Sequence, residues 1–106
     1  MRVLALGNVY PPHLLGGYEV IWQGVTEQLR ADGHATRVLT ADYRRADVPV
    51  GAEDPDVHRE LRWYWQDHEW PAMSPPERLR LERHNARVFD RHVRGFRPDV
   101  IAWWPV

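Results

Sequence analysis

The sequence predicts an α/β fold in which helices cover a twisted, mainly parallel β-sheet. Two observations support this class. Short apolar runs of strand length alternate with stretches whose apolar residues recur at helical spacing, and the connections between the runs are long enough for helical crossovers. With 106 residues, 43% of them hydrophobic and 27% charged, the chain has the size and composition of one globular domain.

The first predicted unit is strand, helix, strand. Residues 3–6 form a continuous apolar run, which is typical of a strand buried on both faces of a parallel sheet. The helix that follows has a predicted core-facing stripe made of Tyr18, Ile21, Val25 and Leu29. Gly33 stands where a left-handed helix cap is common, and residues 36–40 then form the second strand. Because crossovers between parallel strands are almost always right-handed, this unit also predicts the local topology.

The second half of the chain predicts another strand, helix and strand. After an exposed connection over residues 42–56, residues 57–64 mix charged and apolar side chains as edge strands do. A capping box at residues 74–77, with two prolines inside it, predicts the start of a helix. The predicted buried stripe of this helix is Leu79, Ala86, Phe89, Val93 and Phe96. Gly95 and Pro98 end the helix, and residues 99–104 form the last strand. The expected architecture is a Rossmann-like parallel sheet of order 3-2-1-4 with flanking helices.

Composition and charge argue against several classes of protein. The formal net charge is −1, and the 14 basic residues are all arginines interleaved with acidic residues, so nucleic acid is not an expected partner. The absence of cysteine excludes disulfides and thiolate chemistry and favours a reducing, cytoplasmic location. No apolar run approaches the length of a transmembrane helix.

Six histidines raise the question of a metal site. His84 and His92 lie about two turns apart on the predicted second helix, and His58 and His68 lie in or beside the edge strand. No pair has the spacing of a helical zinc motif, and the sequence shows no cluster of carboxylate or thiolate ligands beside them. We therefore expect no metal and interpret the histidines as surface or helix-capping residues.

The candidate binding site is the loop over residues 7–17, between the first strand and the first helix. In open α/β sheets, ligands bind beyond the carboxyl ends of the strands where the strand order reverses, which is here between the first and last strands. Gly16 and Gly17 immediately precede the helix, whose free amide groups and positive dipole end favour an anion such as a diphosphate. The alternative is that the two glycines only form the turn into the helix.

Three further residues of this region are candidate contacts for a phosphate or an acceptor: Tyr10, His13 and Glu19. A cationic His13 imidazole would suit an anion, and the alternative is a solvent-facing loop residue. Glu19 would be stabilised by the helix dipole, in which case its role is structural. No pair of nucleophile and general base stands out, so we assign no catalytic residue.

Several short motifs together resemble the N-terminal signature of glycosyltransferase family four, whose members are retaining enzymes with the GT-B fold. The motifs are Tyr-Pro-Pro at 10–12, Gly-Gly-x-Glu at 16–19, Leu29 with Gly-His at 33–34, and Arg-Pro-Asp-Val at 97–100. The likeness covers essentially the whole chain and is clearest over residues 2–41. The last strand departs from it, because it ends in Ala-Trp-Trp-Pro where the family often has a His-x-His-like segment. This departure leaves the acceptor class open.

The resemblance implies that residues 1–106 are a single, incomplete N-terminal domain on the acceptor side of a two-domain transferase. Gly16 and Gly17 would then donate backbone amides near the diphosphate of a nucleotide-sugar donor. The donor is a substrate, so no cofactor is implied. In the family, the nucleotide pocket belongs to a C-terminal donor-binding domain, and the segment alone is therefore expected to be inactive.

A second hypothesis is a non-catalytic α/β binding or assembly module. Under either hypothesis, the apolar strand at residues 100–104 forms a sheet edge, and such edges tend to pair with another chain, so we expect a homodimer through this edge. A peripheral membrane contact is a further candidate interaction. The aromatic residues with a candidate role in stacking on sugar or lipid rings are Trp63, Tyr64, Trp65 and Trp70. Packing inside the protein is the interpretation we favour for them.

Overall fold

The computed structural model describes residues 1–11, 18–42, 54–62 and 73–103, and it has an α/β architecture with helices against one four-stranded sheet. In chain order, the elements are β1 (Arg2–Leu6), α1 (Tyr18–Ala31), β2 (Ala35–Ala41), β3 (Val57–Leu61), α2 (Pro75–Phe96) and β4 (Val100–Trp103). The predicted class is therefore confirmed. Within these ranges, neither helix combines the length and the apolar character needed to cross a membrane.

All paired strands are parallel, and the strand order is β3-β2-β1-β4, which confirms the predicted order 3-2-1-4. β1 lies in the interior of the sheet, where Leu4 is opposite Arg37 of β2 and Ile101 of β4. The chain passes from β1 to β2 through α1, and from β3 back across to β4 through α2. The direction in which strands are added therefore reverses at β1.

The two helices cover opposite faces of the sheet. On one face, Trp22 of α1 and Tyr10 pack with Ala5, Val38 and Val57. The cluster on the other face contains residues of β1, β2 and α2, namely Leu4, Leu6, Leu39, Val88 and Phe96. Successive residues of a strand point to opposite faces, and this is why the neighbours Leu4 and Ala5 belong to different clusters. Both faces are covered, as parallel sheets require.

The buried face of α1 differs from the predicted one. Trp22 is 2% exposed and Thr26 is also buried, whereas Ile21 is 57% exposed and Val25 is likewise exposed. The large indole removes more apolar surface from water than a smaller aliphatic side chain would. The Thr26 hydroxyl donates a hydrogen bond to the Trp22 carbonyl oxygen at 2.9 Å, which offsets the cost of burying it. The prediction that Ile21 and Val25 face the core is therefore wrong. The other two predicted residues are Leu29, which is partly buried, and Tyr18, whose side chain lies outside the described part.

The buried stripe of α2 overlaps only partly with the predicted one. Its buried residues are Leu81, Val88, His92 and Phe96. Phe96 is confirmed, and Phe89 and Val93 pack against the core while partly buried. The assignment of Leu79 and Ala86 to the core is wrong, because Leu79 is 47% exposed and Ala86 is exposed as well. The buried face of α2 includes a polar residue, His92. A stripe chosen only for apolar residues therefore does not coincide with this face.

Both ends of α2 follow the predicted signals, and the helix ends at Phe96, between Gly95 and Pro98. The Ser74 hydroxyl accepts a hydrogen bond from the Glu77 amide at 3.4 Å, and prolines occupy the first turn. The helix continues past Gly95, and Arg97 takes the left-handed cap position with φ 54°, donating its amide hydrogen to the Val93 carbonyl oxygen. After α1, Gly33 has φ 91°, so the predicted left-handed conformation there is confirmed.

The predicted edge strand is present as β3, which is shorter than residues 57–64 and contains a bulge. Thr40 of β2 is opposite Arg59, but the next residue, Ala41, is opposite Leu61. Glu60 is therefore the additional residue of a β-bulge, a feature that redirects side chains at sheet edges. The predictions for the aromatic residues at 63–70, and for most of the exposed connection at 42–56, lie outside the described residues.

Candidate functional site

The first residues of the loop after β1 are hydrogen-bonded to the end of β2. The Asn8 carbonyl oxygen accepts from the Ala41 amide at 2.9 Å and from the Thr40 hydroxyl at 2.8 Å. The next two residues, Val9 and Tyr10, are buried. The chain therefore leaves β1 across the carboxyl end of β2, on the edge of the sheet where ligands of open α/β folds bind.

β3 holds the same loop from the other side of β2. The guanidinium of Arg59 donates hydrogen bonds to the Tyr10 carbonyl oxygen at 3.0 Å and to the Pro11 carbonyl oxygen at 2.8 Å. A planar guanidinium that bridges two neighbouring carbonyl groups defines their orientation better than a single bond does. Contacts from β2 and β3 together thus fix the backbone of residues 8–11.

The Tyr10 side chain is buried in the core, on the face of the sheet that α1 covers. Its ring meets the Trp22 ring edge to face, with ring centroids 4.8 Å apart and an interplanar angle of 88°. Burial raises the pKa of Tyr10, and a hydrogen bond with Thr26 opposes this shift only in part. The hydroxyl therefore stays protonated at neutral pH. In this arrangement, the Tyr10 side chain connects the start of the loop to α1.

The other predicted site residues lie along the connection from β1 to α1. His13, Gly16 and Gly17 are outside the described residues, so the roles assigned to them stay predictions. Glu19 is in the first turn of α1 and is partly exposed. Tyr10 precedes residues 12–17 in the chain and Glu19 follows them. An acceptor or phosphate contact from either residue stays a prediction.

A second polar cluster lies between β3 and α2 and comprises His58, Glu60 and His92. One carboxylate oxygen of Glu60, Oε2, is 2.9 Å from Nδ1 of His58 and 3.2 Å from Nε2 of His92. The two imidazole rings meet edge to face, with centroids 4.7 Å apart. One potential ligand atom from each of the three residues lies within 4.8 Å of the others. Among the described residues, this is the group with the composition and spacing to hold a metal ion.

Two arginines contact the outer atoms of this cluster. Nη1 of Arg37 is 3.2 Å from Nδ1 of His92, and Arg91 forms an ion pair with the second carboxylate oxygen of Glu60. A guanidinium is only a donor, so Nδ1 of His92 is the acceptor and its Nε2 carries the proton that is donated to Glu60. The imidazole of His92 is therefore neutral in this arrangement.

The electrostatics of the cluster agree with that assignment. Burial lowers the pKa of His92, and the charges of His58 and Arg37 lower it further, against the opposing effect of Glu60. Burial works against ionisation of Glu60, but the hydrogen bonds from His92 and His58 and the charge of Arg91 outweigh it and lower its pKa. A neutral His92 beside an ionised Glu60 is the expected state at neutral pH.

Side chains of α2 also cover the outer edge of β3, which is the outermost described strand on its side of the sheet. The side-chain carboxamide of Asn85 bonds to the backbone of Arg62. Its oxygen accepts from the backbone amide at 2.8 Å, and its nitrogen donates to the backbone carbonyl oxygen at 3.4 Å. Nε2 of His84 is 2.9 Å from the Glu60 carbonyl oxygen. Polar groups of a helix thus satisfy backbone groups at an edge that would otherwise be open to pairing.

The interpretation of the histidines as surface or capping residues is wrong for His92, which is 5% exposed. Part of the cluster could have been found from local sequence. Residues two apart on a strand share a face, and His58 and Glu60 have this spacing. The partner on α2 is 32 residues from Glu60 in the chain, and only the packing of α2 on β3 brings it into contact. The sequence showed no carboxylate cluster beside the histidines, and in the structure Glu60 supplies the carboxylate.

No protein-family model matches the chain, and none of the curated proteins or solved structures gives a match. The fold alone defines the class of protein. The chain is an α/β protein with an open, all-parallel, four-stranded sheet and helices on both faces, an arrangement consistent with the Rossmann-like folds.

Proposed function

We propose that the chain is the acceptor-side, N-terminal part of a GT-B-fold glycosyltransferase that transfers a sugar from a nucleotide-sugar donor to an acceptor. The observation that carries this proposal is the position of the connection between β1 and α1, which leaves the carboxyl end of β1 where the strand order reverses. Two of the motifs that resemble glycosyltransferase family four, Tyr-Pro-Pro at 10–12 and Gly-Gly-x-Glu at 16–19, begin in this connection. A cytoplasmic location belongs to the same proposal, supported by the absence of cysteine.

The contacts around this connection suit a diphosphate site. Arg59 and Thr40 hold the backbone of residues 8–11, and α1 begins at Tyr18. The helix start offers amide hydrogens and a positive dipole end to an anion, and the glycines at 16 and 17 would let a phosphate approach the backbone closely. In the proposal, Gly16 and Gly17 donate to the donor diphosphate, whereas His13 and Glu19 line the acceptor side.

Titration with UDP, GDP and nucleotide sugars, followed by amide NMR shifts, tests this role. We expect shifts confined to residues 12–19 with millimolar affinity, because this chain would supply only part of the donor site. Gly16→Val should abolish the shifts by adding a side chain where the phosphate approaches. Gly24→Val is the matched control, since a Cβ atom added at Gly24 meets nothing within 4 Å. Equal shifts in both variants, or none in the wild-type chain, would contradict the proposed site.

A second candidate function is non-catalytic assembly, and the exposed edge at β4 favours it. β4 is the outermost described strand on its side of the sheet, and its residue Trp103 is 65% exposed. A second copy that pairs along β4 would cover the apolar surface and satisfy the edge backbone groups. The proposed partner is thus another copy of this chain.

Sedimentation or light scattering over a range of concentrations tests the dimer. We expect the apparent mass to rise toward that of two chains, and Trp103→Glu should keep the protein monomeric because it would bring a charge into the contact. Ile21→Glu replaces a similarly exposed apolar residue on α1 and is the control for nonspecific hydrophobic association. This variant should form the dimer as the wild type does. A monomeric wild-type chain at all concentrations would exclude the β4 dimer, as would loss of association in both variants.

A further inference from the structure

The donor atoms of His58, Glu60 and His92 converge from two elements onto one small volume. Glu60 Oε2 is 2.9 Å from one imidazole nitrogen and 3.2 Å from the other, and the three donor atoms lie within 4.8 Å of one another. Around a tetrahedral ion with bonds of about 2.0–2.2 Å, the ligand atoms are separated by about 3.3–3.6 Å. The present separations, from 2.9 Å to at most 4.8 Å, bracket these values, so side-chain rotation toward them would admit an ion.

The chemistry and burial of the three groups also suit an ion. Two imidazoles and one carboxylate form a donor set that suits zinc and other borderline divalent metals, and it leaves a fourth position for water. The His92 side chain is buried, whereas those of His58 and Glu60 are partly exposed. The group is therefore closed toward the core and open toward solvent, and an ion has a path to it.

The β-bulge and the second layer of contacts support the same geometry. Glu60 is the additional residue of the bulge, and His58 lies two residues before it on the edge strand. Arg91 holds the outer oxygen of Glu60, Oε1, and leaves Oε2 directed at the two imidazoles. Outer contacts of this kind orient the ligands of metal sites.

We propose that His58, Glu60 and His92 form a binding site for a divalent transition-metal ion of borderline softness, with Zn²⁺ as the probe. The ligand atoms are Nδ1 of His58, Oε2 of Glu60 and Nε2 of His92. When the ion enters, Nε2 of His92 loses the proton that it donates to Glu60 and Nδ1 of the same ring takes one up, so this imidazole releases no net proton. The bound ion joins α2 to β3 and stabilises the folded chain.

Arg37 opposes metal binding at this site. It donates to Nδ1 of His92 and thereby favours the tautomer whose Nε2 is protonated and cannot bind a metal. Its guanidinium carbon also lies 4.7 Å from the centre of the Phe96 ring, a second contact that does not involve His92. Metal binding therefore requires Arg37 to withdraw from His92, and removal of its charge should raise the affinity.

Calorimetric titration of the chelator-treated chain with Zn²⁺ tests the site, with the visible absorption of bound Co²⁺ as a readout of imidazole coordination. We expect one ion per chain. His58→Asn and His92→Asn should each weaken binding by about 100-fold or more, because loss of even an outer partner of a metal ligand costs about 10- to 100-fold. Arg37→Met should strengthen it. His34→Asn, in the turn after α1, is the matched control and should bind as the wild type does.

Circular dichroism establishes whether each variant is folded. If His92→Asn unfolds because its site is buried, His58→Asn decides the question, since His58 lies partly exposed on the edge strand. The proposal is overturned if the wild-type chain binds no Zn²⁺, or if a folded His58→Asn chain binds it with unchanged affinity. Loss of binding in His34→Asn would also overturn it, because the ion would then lie elsewhere.

Discussion

Trp22→Ala is expected to lower the free energy of unfolding by about 3–5 kcal/mol, the largest effect of any single substitution in α1. The indole is 2% exposed and packs against Tyr10, Val38 and Val57. Removing it leaves a cavity between α1 and the sheet and removes the ring against which Tyr10 packs. Urea unfolding followed by far-ultraviolet circular dichroism measures the effect without depending on indole fluorescence.

Ile21→Ala is the matched control on the same helix. Ile21 is 57% exposed, so the substitution should change the free energy of unfolding by no more than about 0.5 kcal/mol. Alanine also has the higher helix propensity, which reduces the loss further. If Ile21→Ala proved more destabilising than Trp22→Ala, the helix would be oriented as its apolar periodicity suggested, and the packing described for α1 would be refuted.

Leu81→Ala is expected to destabilise the chain by about 2–5 kcal/mol, because this side chain belongs to the buried stripe of α2. α2 packs on the face of the sheet where Leu4 and Leu39 are fully buried. A cavity at Leu81 weakens the half of the helix that precedes Val88. Thermal and urea unfolding with the same probe would measure the loss.

The comparison residue is Leu79, two positions earlier, with the same side chain but 47% exposed. Leu79→Ala should change stability by no more than about 0.5 kcal/mol. The pair is informative because the amino-acid change is identical and only the face of the helix differs. Similar losses in the two variants would mean that the face of α2 that contains Leu81 is not the buried one.

The secondary structure and its order were predictable because their signals are local. The apolar run of β1 and the glycine after α1 depend on residues close together in the chain. The same is true of the cap at Ser74, where the signal spans only four residues. The parallel order β3-β2-β1-β4 followed, because crossovers of this kind have few allowed arrangements.

The faces of the helices were less predictable. Trp22 and Ile21 are neighbours, and apolar spacing alone admits either at the core. The choice depends on the space that Val38 and Val57 leave beneath α1, and this space exists only once the sheet has formed. On α2, the buried face includes His92, whose polarity is tolerated because Glu60 and Arg37 satisfy both of its ring nitrogens.

For function, the sequence by itself determined the α/β class and the switch point after β1, because strand order and helix starts follow from local patterns. It also predicted the glycine loop as the place for an anion. Only the tertiary structure decided that Arg59 holds that loop and that His58 and Glu60 meet His92. These contacts join residues 32 to 49 positions apart in the chain, and their formation depends on how α2 and β3 pack and on the bulge at Glu60. Neither the packing nor the bulge has a signal in the order of residues.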